Sequence, residues 1–285
     1  MWITDIIIRC IPDTIYLKCM YRIVTGKRLN LKNPRTFNEK LQWLKLHDRN
    51  PQYTKMVDKY EVRQYIKETI GEEYLIPLVG GPWERFDDID FSNLPEQFVL
   101  KCTHDSGSVV ICKDKNKFDI ESVRKKFNRA LKGNFFYGGR EWPYKNIKPR
   151  IIAEKYMVDE FGKNLNDYKI FNFSGVPKLI QVDFNRFENH RHNYYTPTWN
   201  FLDVYINDSN DPNIKIESPQ KLEELLNLAK KLSHGIVHLR TDFYLMGSKI
   251  FFGELTFYHE SGFGRFTPKE FGEQMGEWIR LPFER

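Results

Sequence analysis

The feature that most constrains this chain is a pair of alternating segments near its end. From Leu239 to Leu245, Arg240, Asp242 and Tyr244 share one strand face, and Leu239, Thr241, Phe243 and Leu245 share the other. After Gly247-Ser248 the alternation resumes from Ile250 to Phe257, with Phe252, Glu254, Thr256 and Tyr258 in one row. A plain two-residue turn at Gly247-Ser248 would set Asp242 opposite Gly253 and put the two carboxylates on different faces. An odd-numbered loop or a bulge would set Asp242 opposite Glu254 and Arg240 opposite Thr256. The second register is predicted. It would gather an arginine, two carboxylates and a hydroxyl on one face, a set that suits a triphosphate with a divalent cation. A solvated strand with an ordinary Arg-Asp pair is the alternative.

The rest of the chain mixes helices and strands without strict alternation, which predicts an α+β fold. Residues 1 to about 72 read as helical. Thr36-Phe37-Asn38-Glu39 opens one helix, and a second runs from Met56 to Ile70 and stops at Gly71. Leu75 to Val79, Phe98 to Cys102, Val109 to Lys113, Ile151 to Met157, Tyr168 to Phe173 and Lys178 to Asp183 read as strands. Asp119 to Gly133, a segment opened by Ser218-Pro219, and a short stretch after Pro268 read as helices. The polar, aromatic stretch from Arg186 to Pro212 reads as irregular loop. Three parts are expected: a helical region over 1–72, a smaller lobe over 73–157 and a larger lobe over 158–285.

The chain has 285 residues and a net charge of +6, dispersed rather than clustered. That suits an anionic small molecule and argues against nucleic acid. Cys10, Cys19, Cys102 and Cys112 show no Cys-x-x-Cys pair and no zinc spacing, so reduced thiols in or near the core are expected. No stretch is apolar enough to cross a membrane, and the reading is a cytoplasmic protein. Trp2, Ile3, Ile6, Ile7 and Ile8 form an apolar cluster that a membrane surface or partner could cover, with a helix docked on its own domain as the plainer reading.

Two further constellations carry chemistry. Lys101, at the end of Phe98 to Cys102, precedes the loop Thr103-His104-Asp105-Ser106-Gly107-Ser108, whose backbone N–H groups could cover phosphates. Ile151 to Met157 could offer main-chain groups to an adenine edge, with Asp167-Tyr168-Lys169 further along to hold ribose hydroxyls. The segment 183–200 carries Arg186, His190, Arg191, His192, Tyr194, Tyr195 and Trp199, a mixture that suits an acidic sugar, with a solvent loop of scattered charges as the plainer reading. His104 and His259 are the histidines of interest.

In this order the pieces resemble the ATP-grasp superfamily. Val57-Asp58-Lys59-Tyr60 and Val99-Leu100-Lys101 resemble its two ATP-lysine segments. Residues 103–108 resemble its phosphate-covering loop, and Glu154-Lys155-Tyr156-Met157 its adenine hinge. Arg240-Thr241-Asp242 and Glu254-Leu255-Thr256 resemble its arginine and metal carboxylates. Nearly the whole chain is similar to the TupA-like ATP-grasp family through Phe37 to Trp43, Phe98 to Ser108, Asp167-Tyr168-Lys169, Arg240 to Tyr244, Gly253 to Phe257 and Gly262 to Pro268. Thr256 departs from the usual Asn, and Lys59 comes too early for the usual α/β domain ahead of an ATP-grasp fold, leaving a helical region in its place.

The resemblance implies two α+β lobes clasping ATP and an ATP- and Mg²⁺-dependent carboxylate–amine ligase. The partners it implies are an amino acid or amine and an acidic saccharide or lipid-linked glycan of surface-polysaccharide (capsule or cell-wall) biosynthesis. It assigns Lys59, Lys101, Ser106, Gly107, Ser108, Glu154, Tyr156, Met157, Asp167 and Lys169 to ATP. It assigns Asp242, Glu254 and Thr256 to the metal, Arg240 and Lys101 to catalysis, and Arg186, His190, Trp199, His259 and Arg265 to the acceptor. The rival readings are a glycosyltransferase using a nucleotide sugar and a non-catalytic nucleotide-binding protein.

Overall fold

The computed structural model describes residues 8–158, 165–184, 191–208 and 210–282. Trp2, Ile3, Ile6 and Ile7 of the apolar N-terminal cluster, together with Arg186 and His190, lie outside the described residues. The chain forms two compact units, Asn50–Phe161, and Met1–Arg49 together with Gly162–Arg285. Among the described residues no helix is long and apolar enough to cross a membrane.

The Asn50–Phe161 unit is built on an antiparallel sheet of β1 (Leu78–Trp83), β2 (Phe98–Cys102), β3 (Val109–Cys112) and β4 (Ile151–Lys155), in the order β1-β4-β2-β3. Phe98, Leu100 and Cys102 alternate onto one face, where they join Ile151, Ala153, Phe86 and Phe127 in the core. Val99 and Lys101 stand on the other face, with Lys101 opposite Ile152 and Val99 opposite Glu154. The expected strand at Leu75 begins instead at Leu78 and continues through Pro82, with register shifts across the two glycines. The single helix expected over Met56 to Ile70 is broken into Gln52–Val57 and Val62–Thr69. Asp58 interrupts it: its backbone is extended, and its Oδ1 accepts the N–H groups of Tyr60 at 2.8 Å and Glu61 at 3.2 Å.

In the other unit six antiparallel strands run in the order β11-β10-β5-β6-β7-β8. They are β5 (Asp167–Phe173), β6 (Val176–Phe184), β7 (Arg191–Tyr195), β8 (Phe201–Leu202), β10 (His238–Met246) and β11 (Lys249–Thr256); β9 (Tyr205–Ile206) pairs separately with β12 (Phe266–Thr267). The loop expected from Arg186 to Pro212 is thus in part sheet. Arg191–Tyr195 pairs residue for residue with β6, and four of its five side chains are buried, although their polarity hides the strand in the sequence. The amphipathic helix Leu222–Leu232 packs Leu225, Leu228, Ala229 and Leu232 inward, with contacts to β5, β6 and β10.

We label Asp13–Thr25 α1 and Phe37–His47 α2. Helix α2 starts on a capping box: Thr36 Oγ1 accepts the Glu39 N–H at 3.3 Å, and Glu39 Oε2 accepts the Thr36 N–H at 3.1 Å. Such caps stabilise a helix by about 1 kcal/mol. Phe37 then packs edge-on against His238 and Phe173, one end of the β10–β5 ladder. The four cysteines are free thiols; Cys102 and Cys112 are buried as expected, whereas Cys10 and Cys19 are exposed.

Candidate functional site

The polar row of β10 decides the site. Residues opposite one another in an antiparallel sheet share a face. Asp242 therefore lies in a row that runs Glu254, Asp242, Lys169, Gln181, Tyr194 across five strands. A neighbouring row contains Thr256, Arg240, Phe171 and Leu179, and another contains Tyr244, Asp167, Asp183 and His192. The predicted register is present: Asp242 stands opposite Glu254 and Arg240 opposite Thr256.

The device is a bulge. The turn at Gly247-Ser248 is a plain two-residue one, with Met246 opposite Lys249. The ladder stays regular to Phe243–Phe252 and then skips Gly253. Past the bulge Phe252 joins Phe243 on the apolar face, instead of the row with Glu254 that unbroken alternation predicts. A Cβ on Gly253 would sit 3.1 Å from the Asp242 carbonyl oxygen and 3.2 Å from the Tyr244 ring, closer than ordinary contact, so any larger residue here would press on β10.

Arg240 and Lys169 organise the carboxylates. Arg240 donates Nε to Asp242 Oδ1 at 2.8 Å, Nη2 to Asp242 Oδ2 at 2.7 Å and Nη2 to Glu254 Oε1 at 3.0 Å. Its Nη1 lies 2.7 Å from His259 Nδ1, and because a guanidinium only donates, Nδ1 is the acceptor. Lys169 reaches Asp167, Asp183 at 3.3 Å and Asp242 at 3.6 Å. Burial works against both cations, but the surrounding carboxylates outweigh it and hold Arg240 and Lys169 firmly protonated. Burial likewise pushes the Asp242 carboxyl up to about 7 despite Arg240 and Lys169. It pushes His259 far below its usual range, with Arg240 adding to the effect.

Asp167, Asp183, Asp242 and Glu254 are four carboxylates facing two cations, Arg240 and Lys169. A divalent cation suits that excess of two negative charges. Among the described residues no group of three or more His, Cys, Asp or Glu is arranged to hold a metal unaided. Asp242 and Glu254 together fit the magnesium pattern of one or two carboxylates completed by phosphate oxygens and water. Thr256 Oγ1 lies 3.5 Å from Glu254 Oε1, in the Arg240 row.

The Asn50–Phe161 unit holds a second group. Lys101 is ion-paired to Glu154, whose other oxygen lies 3.7 Å from Arg63 Nη1. Lys59 Nζ donates to the Asp105 carbonyl, and its backbone N–H donates to Thr103 at 3.1 Å, so this lysine is tied to the 103–108 loop. Ser106 and Gly107 are exposed at the loop tip, Gly107 is left-handed, and Ser108 bonds Asp105. His104 is buried and reaches the Ala130 carbonyl at 3.0 Å. Tyr156 and Met157 follow β4 and are half-buried, with Lys113 over the Tyr156 ring.

The remaining expected residues are dispersed. Asp167 and Lys169 are buried in the carboxylate cluster. Trp199 stacks on Tyr195 at 4.5 Å and donates Nε1 to the Ile216 carbonyl at 3.0 Å. Tyr195 belongs to the row Leu255, Thr241, Ile170, Ile180, Tyr195, Phe201, the face opposite Asp242. The Arg265 side chain is exposed. Arg63, Gln181 and Asp183 were not singled out in the sequence, and His192, read there as part of a sugar-binding loop, stands instead in the row of Asp167 and Asp183. The alternation of Gln181 and Asp183 with Ile180 and Val182 was the available signal.

A family model described as TupA-like ATPgrasp matches residues 39–280. No curated protein matches the chain. Similar solved structures include the D-alanine–D-alanine ligase of Bacillus anthracis, at 15% identity and TM-score 0.41, covering 76% of this chain and 58% of that one. The D-alanine–D-alanine ligase of Helicobacter pylori has 15% identity and TM-score 0.42, covering 85% and 69%. The N5-carboxyaminoimidazole synthetase of Staphylococcus aureus, complexed with ADP, has 13% identity and TM-score 0.46, covering 78% and 52%. The chain thus spans little more than half the length of two of these three.

Proposed function

The chain belongs to the TupA-like ATP-grasp family, and from that premise we propose that it is an ATP- and magnesium-dependent carboxylate–amine ligase. The reaction is amide formation between a uronic acid or other sugar and an amino acid, by way of an acyl-phosphate, in surface-polysaccharide biosynthesis. The observation that carries the reading is the register of β10 on β11, which puts Asp242 opposite Glu254 with Arg240 bonded to both.

Asp242 and Glu254, with Thr256 beside them, would hold magnesium, which neutralises phosphate charge when bound. Arg240, fixed by three hydrogen bonds to these carboxylates, is the preorganised cation for charge developing on a transferred phosphoryl group. In the Asn50–Phe161 unit Lys59, Lys101 and the loop residues Ser106, Gly107 and Ser108 are assigned to phosphates. Glu154, Tyr156 and Met157 are assigned to adenine. Asp167 and Lys169 keep their assignment to ATP through the carboxylate cluster they share with Asp242, and His259 and Arg265 are assigned to the acceptor.

The test is ADP release measured over a panel of uronic acids and amino acids, with Asp242→Asn as control. Release that needs ATP, magnesium, one acid and one amine, and is lost in the control, supports the ligase. Turnover of a nucleotide sugar without ATP would replace this reading with a glycosyltransferase.

A further inference from the structure

Helix α2 carries a polar stripe that ordinary packing does not explain. Asn38, Gln42 and Lys45 follow one another at i, i+4 and i+7, the spacing of a buried helix face. All three are buried, Gln42 and Lys45 completely. Apolar side chains would fill such positions without desolvating an amide or an ammonium. Instead each donates to the main chain of one short segment. Asn38 Nδ2 reaches Gly264 O at 2.8 Å, and Gln42 Nε2 reaches Ser261 O at 3.0 Å and Gly262 O at 2.8 Å. Lys45 Nζ reaches Ser261 O at 2.8 Å and Ser261 Oγ at 3.0 Å.

Carbonyl oxygens only accept, so the amide orientations of Asn38 and Gln42 are fixed. Their own oxygens, Oδ1 and Oε1, are left buried without a protein partner. Each such acceptor costs about 1–3 kcal/mol. The stripe is a poor solution for stability, and that points to a role in position.

What it positions is backbone in a sparsely allowed conformation. Glu260, Ser261 and Gly262 have φ of 51°, 49° and 65°, three left-handed residues in succession, two of them not glycine. At Gly262 a Cβ would fall 2.6 Å from Gln42 Nε2. Asn207 adds a second clamp, donating Nδ2 to Glu260 Oε2 at 2.6 Å and accepting the Arg265 N–H at 2.9 Å. The first residue of the turn is His259, whose Nδ1 accepts from Arg240 and whose ring meets Phe171 edge-on at 4.9 Å.

We propose that Asn38, Gln42 and Lys45 are positioning residues for Arg240. They hold the left-handed turn that aims His259 at Nη1 of the guanidinium, so that its other donors stay on Asp242 and Glu254. The consequence for turnover rests on the ligase reading above; the positioning itself does not.

The experiment uses the full chain and the variants Gln42→Met, Lys45→Met and Lys45→Arg, with Ser233→Ala as a control that removes a buried hydrogen bond elsewhere in the unit. Histidine ¹⁵N NMR reports the His259 ring directly. The wild type and Ser233→Ala show a neutral ring with Nδ1 as acceptor. Gln42→Met and Lys45→Met lose that signature, Lys45→Arg restores it, and kcat for ADP release falls about tenfold while KM for ATP stays within about twofold. If Gln42→Met does not fold, the Lys45 pair decides. A folded variant lacking either donor set with the wild-type His259 signature overturns the proposal. Loss of the signature in an enzyme whose wild type releases no ADP on any substrate pair would leave the positioning standing and remove the ligase reading.

Discussion

Arg240 and Asp242, two residues apart on one strand, form a two-pronged ion pair in which Nε and Nη2 meet the two carboxylate oxygens at 2.8 and 2.7 Å. Both side chains are buried, at 7% and 1% exposure, so neither can exchange its partner for water. Breaking a buried pair from one side is strongly destabilising, because the remaining charge is stranded. Arg240→Met, which strands Asp242 and Glu254 without their guanidinium, is therefore expected to lower unfolding free energy by about 3–5 kcal/mol in urea titrations. Arg240→Lys, which keeps the charge but loses the fork, is expected to lower kcat for ADP release about 100-fold in steady-state kinetics.

Gly253→Ala tests the bulge. The added methyl would press on the Asp242 carbonyl and the Tyr244 ring at 3.1 and 3.2 Å, so either β10 or β11 must shift. A loss of about 1–3 kcal/mol is expected by thermal or chemical denaturation. Retained stability with retained activity would show that the ladder accepts the strain elsewhere.

Lys169→Met removes the cation shared by Asp167, Asp183 and Asp242. Three buried carboxylates then face one another with Arg240 as the remaining positive charge in the cluster. The expected loss is about 3–5 kcal/mol near pH 8. It shrinks as the pH falls from 8 toward about 7, because Asp242 without Lys169 takes up its proton at a higher pH than in the wild type and the repulsion weakens. Denaturation at pH 8 and pH 6 checks the sign.

His238 gives the opposite slope. Its Nδ1 lies 2.9 Å from the Asn172 carbonyl, so Nδ1 carries the proton of a neutral ring, packed against Phe37 and Phe173. Burial depresses its pKa from 6.5 to about 3. A base depressed in the folded state contributes stability above 6.5 that is lost as the pH falls toward 3. Between pH 7.5 and 5 that amounts to about 2 kcal/mol. His238→Phe should remove this part of the pH dependence even if its stability at pH 7.5 is also lower; an unchanged slope would show that the ring is not the source.

Much of this was legible because strand alternation and helix caps are local. The Thr36–Glu39 capping box, the Asp119 cap and the alternating rows of β10 depend on neighbours in sequence, and each matches the structure, whereas on β11 the bulge moves Phe252 out of its expected row. The break at Asp58 was missed because an Asx turn competes with the helix through a side chain that helical periodicity does not weigh. β7 was missed because a strand between a polar face and an apolar one need not show an apolar row. His192 and Tyr194 turn toward the carboxylates while Asn193 and Tyr195 turn away.

The sequence by itself determined the chemistry available: the arginine, the carboxylates and the lysines, and the family match over residues 39–280. It also determined that Asp242 and Glu254 share a face only if the hairpin carries an extra residue. Tertiary structure decided the rest. Lys169, Asp167 and Asp183 joined Asp242 because three strands lie side by side, and residues distant in sequence meet only when a sheet closes. Asn38, Gln42 and Lys45, a helical stripe by spacing, became a clamp because α2 packs its buried face on the carbonyls of a left-handed turn more than 200 residues away. Spacing along a chain specifies which face a side chain takes; only packing specifies what that face meets.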